Sequence, residues 1–246
     1  MRIVAIGATS AIAEHCCRLW VQREPCDLLL VARDAAKAQR IAADLGVRAP
    51  NATIALTTMD FLDTAAIEKL ADQAAAGGAI DIVLIAHGMM PDQKDVQGDL
   101  ALCRRTLEVN AISPALFAEA FARHLERMGR GTLAIVGSVA GDRGRKANYS
   151  YGATKGFLER YAQGLDHRLA GRGVKVVLIK PGPTDTPLAA AHKARGRKLA
   201  AVEDVARTIV RGIDAGRPVV YAPTLWVAIM LVVRSLPRAV FNRLDI

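Results

Sequence analysis

The sequence predicts an α/β protein, a doubly wound parallel sheet with helices on both faces, in a single domain. Three observations carry this expectation. Short apolar runs recur from the N-terminus to residue 180, and most are apolar throughout, as strands covered on both faces must be. Segments with apolar residues at helical spacing separate them, so strands and helices alternate, as parallel neighbours require. The first run ends in Gly7 and passes straight into a helical pattern, an arrangement that points backbone N–H groups at a phosphate.

The elements follow in order. Ile3 to Gly7 is a strand, and Ala8-Thr9-Ser10-Ala11-Ile12 leads into a helix with Ile12, Cys16, Leu19 and Trp20 on one side. Gly7, Thr9, Ser10 and Ile12 are therefore candidate cofactor contacts, although an ordinary βα turn would look similar. The second strand, Asp27 to Arg33, ends in a guanidinium where an acidic residue would suit a ribose diol. Arg33 suits a 2′-phosphate instead, which favours NADP(H), while Asp34 beside it leaves NAD(H) open. A helix over 35–45, a strand over 52–60, a helix over 64–76 and a strand over 80–86 continue the alternation. Asp60 and Phe61 follow the third strand, where an adenine could be read; a helix cap is the alternative for Asp60. Ala86 and Gly88 follow the fourth strand, with Gly88 suited to close backbone approach, and His87 between them reads as packed or solvated. A long helical stretch from Leu100 to Met128 is interrupted near Ser113-Pro114 and contains Asn110, a poor mid-helix residue unless its amide is recruited.

The chemistry is expected in the stretch from Ser138 to Lys155. Tyr151 and Lys155 are four residues apart at the head of an apolar-periodic helix and so share a face. A nearby ammonium favours phenolate over phenol, so Lys155 is expected to bring the Tyr151 pKa down toward the range of a working acid. Ser138 ends the apolar run from Thr132 and would bring a hydroxyl beside that helix. A solvated first turn and a strand-end hydroxyl are the plain alternative. After a sixth strand, Val174 to Lys180, the stiff turn Pro181-Gly182-Pro183-Thr184-Asp185-Thr186-Pro187 can hold a nicotinamide amide by its backbone, with Thr184 and Thr186 offering hydroxyls.

The chain has 246 residues and no Ser/Gly/Pro-rich linker, so one domain is expected. Residues 1–222 would form its catalytic body and 223–246 an apolar and basic tail. The first residues form a strand and not an export leader, which predicts a cytoplasmic protein. Four cysteines (Cys16, Cys17, Cys26, Cys103) lack metal-ligand spacing; reduced thiols and no metal are expected. The net charge of +9 would admit nucleic acid or an anionic surface as partner. The basic excess, however, is concentrated after residue 190, and neither interleaved aromatics nor a reading module is present, so nucleic acid is not expected.

Together these residues resemble the short-chain dehydrogenase/reductase family over nearly the whole chain. The glycine turn, Asp60, Asn110, Ser138, Tyr151-x-x-x-Lys155, then Pro181-Gly182 with Thr186 stand in that family's order and spacing. The resemblance implies a Rossmann fold and a tetrad. Ser138 would orient a substrate carbonyl, Tyr151 would donate the proton, Lys155 would lower the tyrosine pKa and bind the nicotinamide ribose, and Asn110 would hold a water. It also implies a homodimer or homotetramer. Ala11 and Ala13 depart from the family's glycines, and Ile85-Ala86-His87-Gly88 stands where Asn-Asn-Ala-Gly is usual. Within the family, the segments 151–155, 174–182, 220–223 and 236–244 are similar to the branch that reduces a polyprenyl-phosphoryl 2-keto-ribose. That likeness implies a lipid-linked keto sugar, or another lipid-like ketone, as small-molecule substrate. A catalytically idle NADP(H)-binding protein acting through its tail is the competing class, and an intact tetrad argues against it.

The tail segment from Thr224 to Val233 is apolar on every side, so as a helix it must bury itself in protein or lipid. It is too short to span a bilayer. Arg234, Arg238 and Arg243 follow, Trp226 and Phe241 are candidate interface anchors, and the segment from His192 to Lys198 adds positive charge. The expectation is peripheral contact with an anionic membrane, with a subunit interface as the alternative.

Overall fold

The computed structural model describes residues 1–190, 194, 196 and 198–244. Its strands are β1 (Arg2–Ile6), β2 (Asp27–Ala32), β3 (Thr53–Thr58), β4 (Ile82–Ile85), β5 (Gly131–Val136), β6 (Val174–Pro181) and β7 (Val219–Ala222). They pair in parallel throughout, in the order β3-β2-β1-β4-β5-β6-β7. The chain therefore winds outward from β1 in one direction, returns, and winds outward in the other. A crevice opens at that reversal, beyond the carboxyl ends of β1 and β4.

Each central strand feeds both faces, as its twofold side-chain period requires. Ile3 and Ala5 of β1 join one apolar cluster and Val4 and Ile6 the other. The first cluster is covered by α1 (Ala11–Arg23), α2 (Ala35–Arg48) and α8 (Val202–Asp214). The second is covered by α3 (Thr64–Ala76), α6 (Ser113–Met128) and α7 (Tyr149–Leu169). Two shorter helices, α4 (Gln93–Gly98) and α5 (Leu100–Leu107), precede α6. Asp34, Asp63, Asp92 and Asp99 each accept a backbone N–H at the start of a helix, so α2 to α5 begin where an aspartate can cap them.

The expected doubly wound sheet is present, with boundaries that differ in detail. The third strand is shorter than expected because it lies at the sheet edge, where its residues are exposed or half-buried. The break expected near Ser113-Pro114 takes the form of a π-helical segment, Glu108–Ile112, in which the Ser113 N–H donates to the Glu108 carbonyl five residues back. All four cysteines are free, and burial pushes the Cys16 and Cys17 thiols up, Cys17 to about 12, which leaves them inert.

The tail forms α9 (Trp226–Ser235) and α10 (Arg238–Phe241). The chain itself covers only one stripe of α9, so the burial in protein or lipid expected for so apolar a helix is met within the chain on one side alone. Met230 is buried, with Trp226, Ile229 and Val233 half-buried beside it, while Leu225, Val227, Leu231 and Val232 are 51–67% exposed. Among the described residues no helix is long and apolar enough to cross a membrane. Of the basic segment from His192 to Lys198, positions 192, 193, 195 and 197 lie outside the described residues.

Candidate active site

Ser138 leaves the end of β5 and its Oγ accepts the Ala140 N–H, which shapes a tight turn over Val139–Gly141. That turn lies directly on α7. A Cβ on Gly141 would stand 2.7 Å from the Lys155 carbonyl carbon, and one on Gly152 would stand 2.8 Å from the Ala140 carbonyl oxygen. Two backbones can approach this closely only without side chains between them, and the approach brings the Ser138 hydroxyl into a hydrogen bond with Tyr151. The first turn of α7 is held independently, because Gln93 of α4 accepts the Ser150 N–H and donates to the Ser150 hydroxyl. We expect Gly152→Ala to force the turn off the helix at a cost of about 1–3 kcal/mol. Urea denaturation checks this, and an unchanged midpoint would mean the seam can give.

Lys155 reaches across the same end of the sheet, where its Nζ donates to the Val136 carbonyl at 3.0 Å and lies 5.6 Å from the Tyr151 ring centroid. The expected lowering of the tyrosine does not occur. Burial pushes the Tyr151 phenol up to about 12, against a smaller opposing contribution from the Ser138 hydrogen bond. Burial likewise holds Lys155 down at about 8. Taking each group out of water disfavours its charged form, and at this separation the ammonium does not offset that for the phenol.

Asn110 sits in the π segment, fully buried. Its Oδ1 accepts the Met89 N–H and its Nδ2 donates to the Met89 carbonyl, both at 2.7 Å. The amide is thus spent on fixing the backbone after Gly88, and Asn110 does not line the cavity. Three residues on, the Ser113 hydroxyl donates to the Phe61 carbonyl and pairs with His87 Nε2. His87 is packed against Phe61 and Phe117, and burial, then the charges of Lys155 and Arg33, holds it at about 3. It is a neutral wall residue.

A cavity of about 320 Å³ runs across the carboxyl ends of the strands. At one end it meets Gly7, Thr9, Ser10 and Ile12 of the first turn, then Arg33 and Phe61. Ala86 and Gly88 line its middle with Ser138, Tyr151 and Lys155, and Pro181, Gly182, Thr184 and Thr186 line the far end. Asp60 does not join them; it is exposed and accepts the Leu62 N–H. The wall fits a dinucleotide. Gly7 (φ 77°) and Gly88 present bare backbone, and Ser10 stands before α1 with its hydroxyl not used as a cap. The methyl group of Ala13 is accommodated in the core, so the departure from glycine there does not block the turn.

Several lining residues were not legible beforehand. Lys37 adds a second cation beside Arg33, one turn into α2. Met90, Leu188 and Trp226 add apolar wall to the cavity that Ser138 and Tyr151 also line. Trp226 is therefore no free membrane anchor; its indole lies against Gly182, which has no side chain to prevent it. Phe241 is covered as well, by the Arg143 guanidinium 3.7 Å above its ring. Beneath the site, Lys180 is buried between Asp142 (2.5 Å) and Glu159 (2.9 Å), and the Tyr221 hydroxyl donates to the other oxygen of Asp142. A lysine before Pro-Gly gives no such signal in sequence, because both carboxylates come from distant elements.

Comparison with known proteins agrees with this fold. The family model described as short chain dehydrogenase matches residues 2–196. An uncharacterized oxidoreductase of Streptomyces coelicolor is 31% identical over 245 residues, 98% of this chain and 95% of its own. Among solved structures, a short-chain dehydrogenase from Sphingobium yanoikuyae in complex with NADPH is 24% identical with a TM-score of 0.82, over 97% of this chain and 98% of that one. A bulky-bulky ketone specific alcohol dehydrogenase from Comamonas testosteroni is also 24% identical, with a TM-score of 0.79 over 97% and 95%.

Proposed function

Because the chain belongs to the short-chain dehydrogenase family, and is accordingly an NAD(P)-dependent oxidoreductase, we propose that it interconverts a ketone and a secondary alcohol using NADP(H), with Tyr151 as the acid and base. The observation that carries the reading is the meeting of Ser138, Tyr151 and Lys155 on the wall of a cavity that also holds the glycine turn and Arg33. NADPH bound there supplies the hydride. Ser138 and Tyr151 hold the carbonyl oxygen between two hydroxyls, and the Tyr151 proton passes to that oxygen as it becomes an alkoxide. Lys155 supplies positive charge to the same end of the cavity, and Asn110 keeps the Gly88-Met89 backbone in place beside it. A screen for NADPH oxidation against a polyprenyl-phosphate keto sugar, a 3-ketoacyl thioester and a long-chain ketone tests the reading; binding without turnover on any of them would favour the idle alternative.

Preference for NADP(H) is supported by the fate of Asp34. Its carboxylate accepts the Lys37 N–H as the cap of α2, while Arg33 and Lys37 turn to the cavity. Two cations and an occupied carboxylate suit a 2′-phosphate better than a bare diol. We expect Arg33→Ala to raise the apparent constant for NADPH by about 1.5–3 kcal/mol equivalent and hardly to change that for NADH. Equal losses would make the arginine structural.

For the substrate we favour a lipid-linked ketone, reached while α9 rests on an anionic membrane. The exposed stripe of α9, flanked by Arg234, Arg238 and Arg243, has the apolar face and basic border of an interfacial helix. The full chain should sediment with anionic vesicles at low salt and weakly at high salt. A tight dimer or tetramer left in the supernatant would assign that stripe to a second copy of the chain instead.

A further inference from the structure

Helix α9 is fastened at both ends to loops that build the site, and at few points elsewhere. At its carboxyl end Arg143 donates from one guanidinium nitrogen to the carbonyls of Val233 (2.6 Å), Leu236 (2.7 Å) and Arg234 (3.3 Å). Those carbonyls have no partner within the helix and gather its negative dipole end, so a cation is well placed there. The same guanidinium covers the Phe241 ring and so fixes α10 as well. Arg143 follows Asp142, which the buried Lys180 pins beneath Ser138's turn. At its amino end Trp226 lies on Gly182 and faces the cavity. Between these ties Met230 is the one residue of α9 that is buried. The inner face of the helix therefore takes its position from the loops after β5 and β6.

With the turn, α1 and Arg33 assigned to the dinucleotide, the apolar wall of Met90, Val139, Leu188 and Trp226 is what a substrate would meet beside Tyr151. Trp226 is the largest of these and the only one delivered by the tail. We propose that Arg143 is a positioning residue that hangs α9 so that the Trp226 indole bounds the substrate side of the cavity, and that Trp226 thereby sets the size of the apolar group a ketone can carry. The inference rests on the ketone-reductase reading above. Removing the indole opens space for a bulky group and takes contact surface from a small one, so the two should respond in opposite directions.

The test measures kcat/KM for cyclohexanone and for benzophenone, with NADPH affinity followed separately. Trp226→Ala should move the ratio toward benzophenone by about tenfold, an amount equivalent to about 1.4 kcal/mol, and leave the NADPH Kd within about threefold. Trp226→Phe should fall between and serves if the alanine variant does not fold. Arg143→Ala should move the ratio the same way, and the double variant should go no further than Trp226→Ala alone, because both act through one side chain. A ratio indifferent to both substitutions, additive shifts, or a fall in NADPH affinity that accounts for the whole effect would overturn the inference and leave the reductase reading standing. A wild-type protein that binds NADPH and reduces no ketone would overturn both.

Discussion

Tyr151→Phe should leave a folded protein that binds NADPH nearly as before and turns over roughly 10²–10⁴-fold more slowly, the range for loss of a positioned acid. The substitution removes the proposed proton donor and keeps the ring. Burial has raised the phenol to about 12, yet this suits reduction. The atom that needs the proton becomes an alkoxide, whose basicity is comparable to that of hydroxide and well above that of a phenolate. A neutral phenol at about 12 therefore still donates downhill, and it is fully protonated throughout the working range. Lys155 titrates far earlier, at about 8. Its folded value lies below the ordinary one, so its charge is present below pH 8 and is lost as pH rises through that value. The alkaline fall in the rate of ketone reduction should accordingly follow the lysine and begin near pH 8. A fall that begins only near 12, or a Tyr151→Phe enzyme within tenfold of wild type, would remove these roles.

Lys180→Met should produce the largest loss of stability outside the catalytic residues, about 3–5 kcal/mol, as breaking a buried ion pair does. Burial by itself would lower this lysine, but hydrogen bonds to Asp142 and Glu159 outweigh it and hold the group above its ordinary value. Methionine keeps the volume and removes the charge, which leaves the fully buried Asp142 side chain and Glu159 facing each other without a cation. Because Asp142 continues the turn that places Ser138, activity should fall further than the unfolded fraction explains. Urea denaturation and kcat under conditions where the variant is folded separate the two effects. A loss below about 1 kcal/mol would mean that solvent already reaches the pair.

The sheet was legible because its central strands are apolar on both faces and their alternation with helices admits few topologies. Arg33, the Gly7 turn and the Tyr151–Lys155 spacing were legible for a related reason, since each is a local pattern tied to the end of one element. What escaped depends on contacts between distant segments. The sequence showed Lys155 beside Tyr151 but not how deeply both are buried, so it misjudged the direction of the tyrosine shift. It presented Asn110 as a residue in need of a partner without identifying Met89. Trp226 and Phe241 looked like anchors of an unsupported helix because neither Gly182 nor Arg143 is near them in the chain.

The π segment at Glu108–Ile112 ties the site to chain length as well as to residue type. It accommodates one more residue than a regular α-helix would over the same span, and that extra residue lets Asn110 reach Met89 while Ser113 reaches Phe61 and His87. Deleting a single residue there would let the ordinary ladder run unbroken from α5 into α6, with every remaining side chain chemically intact. The two halves would keep their places, because the segment holds its extra residue within the same span, but positions 110 and 113 would fall on one regular ladder of about 100° per residue, and the offset that serves both Met89 and the Phe61–His87 pair would be lost. At this point of the fold a frameshift in space, with no change of chemistry, would be enough to dismantle the wall behind Gly88.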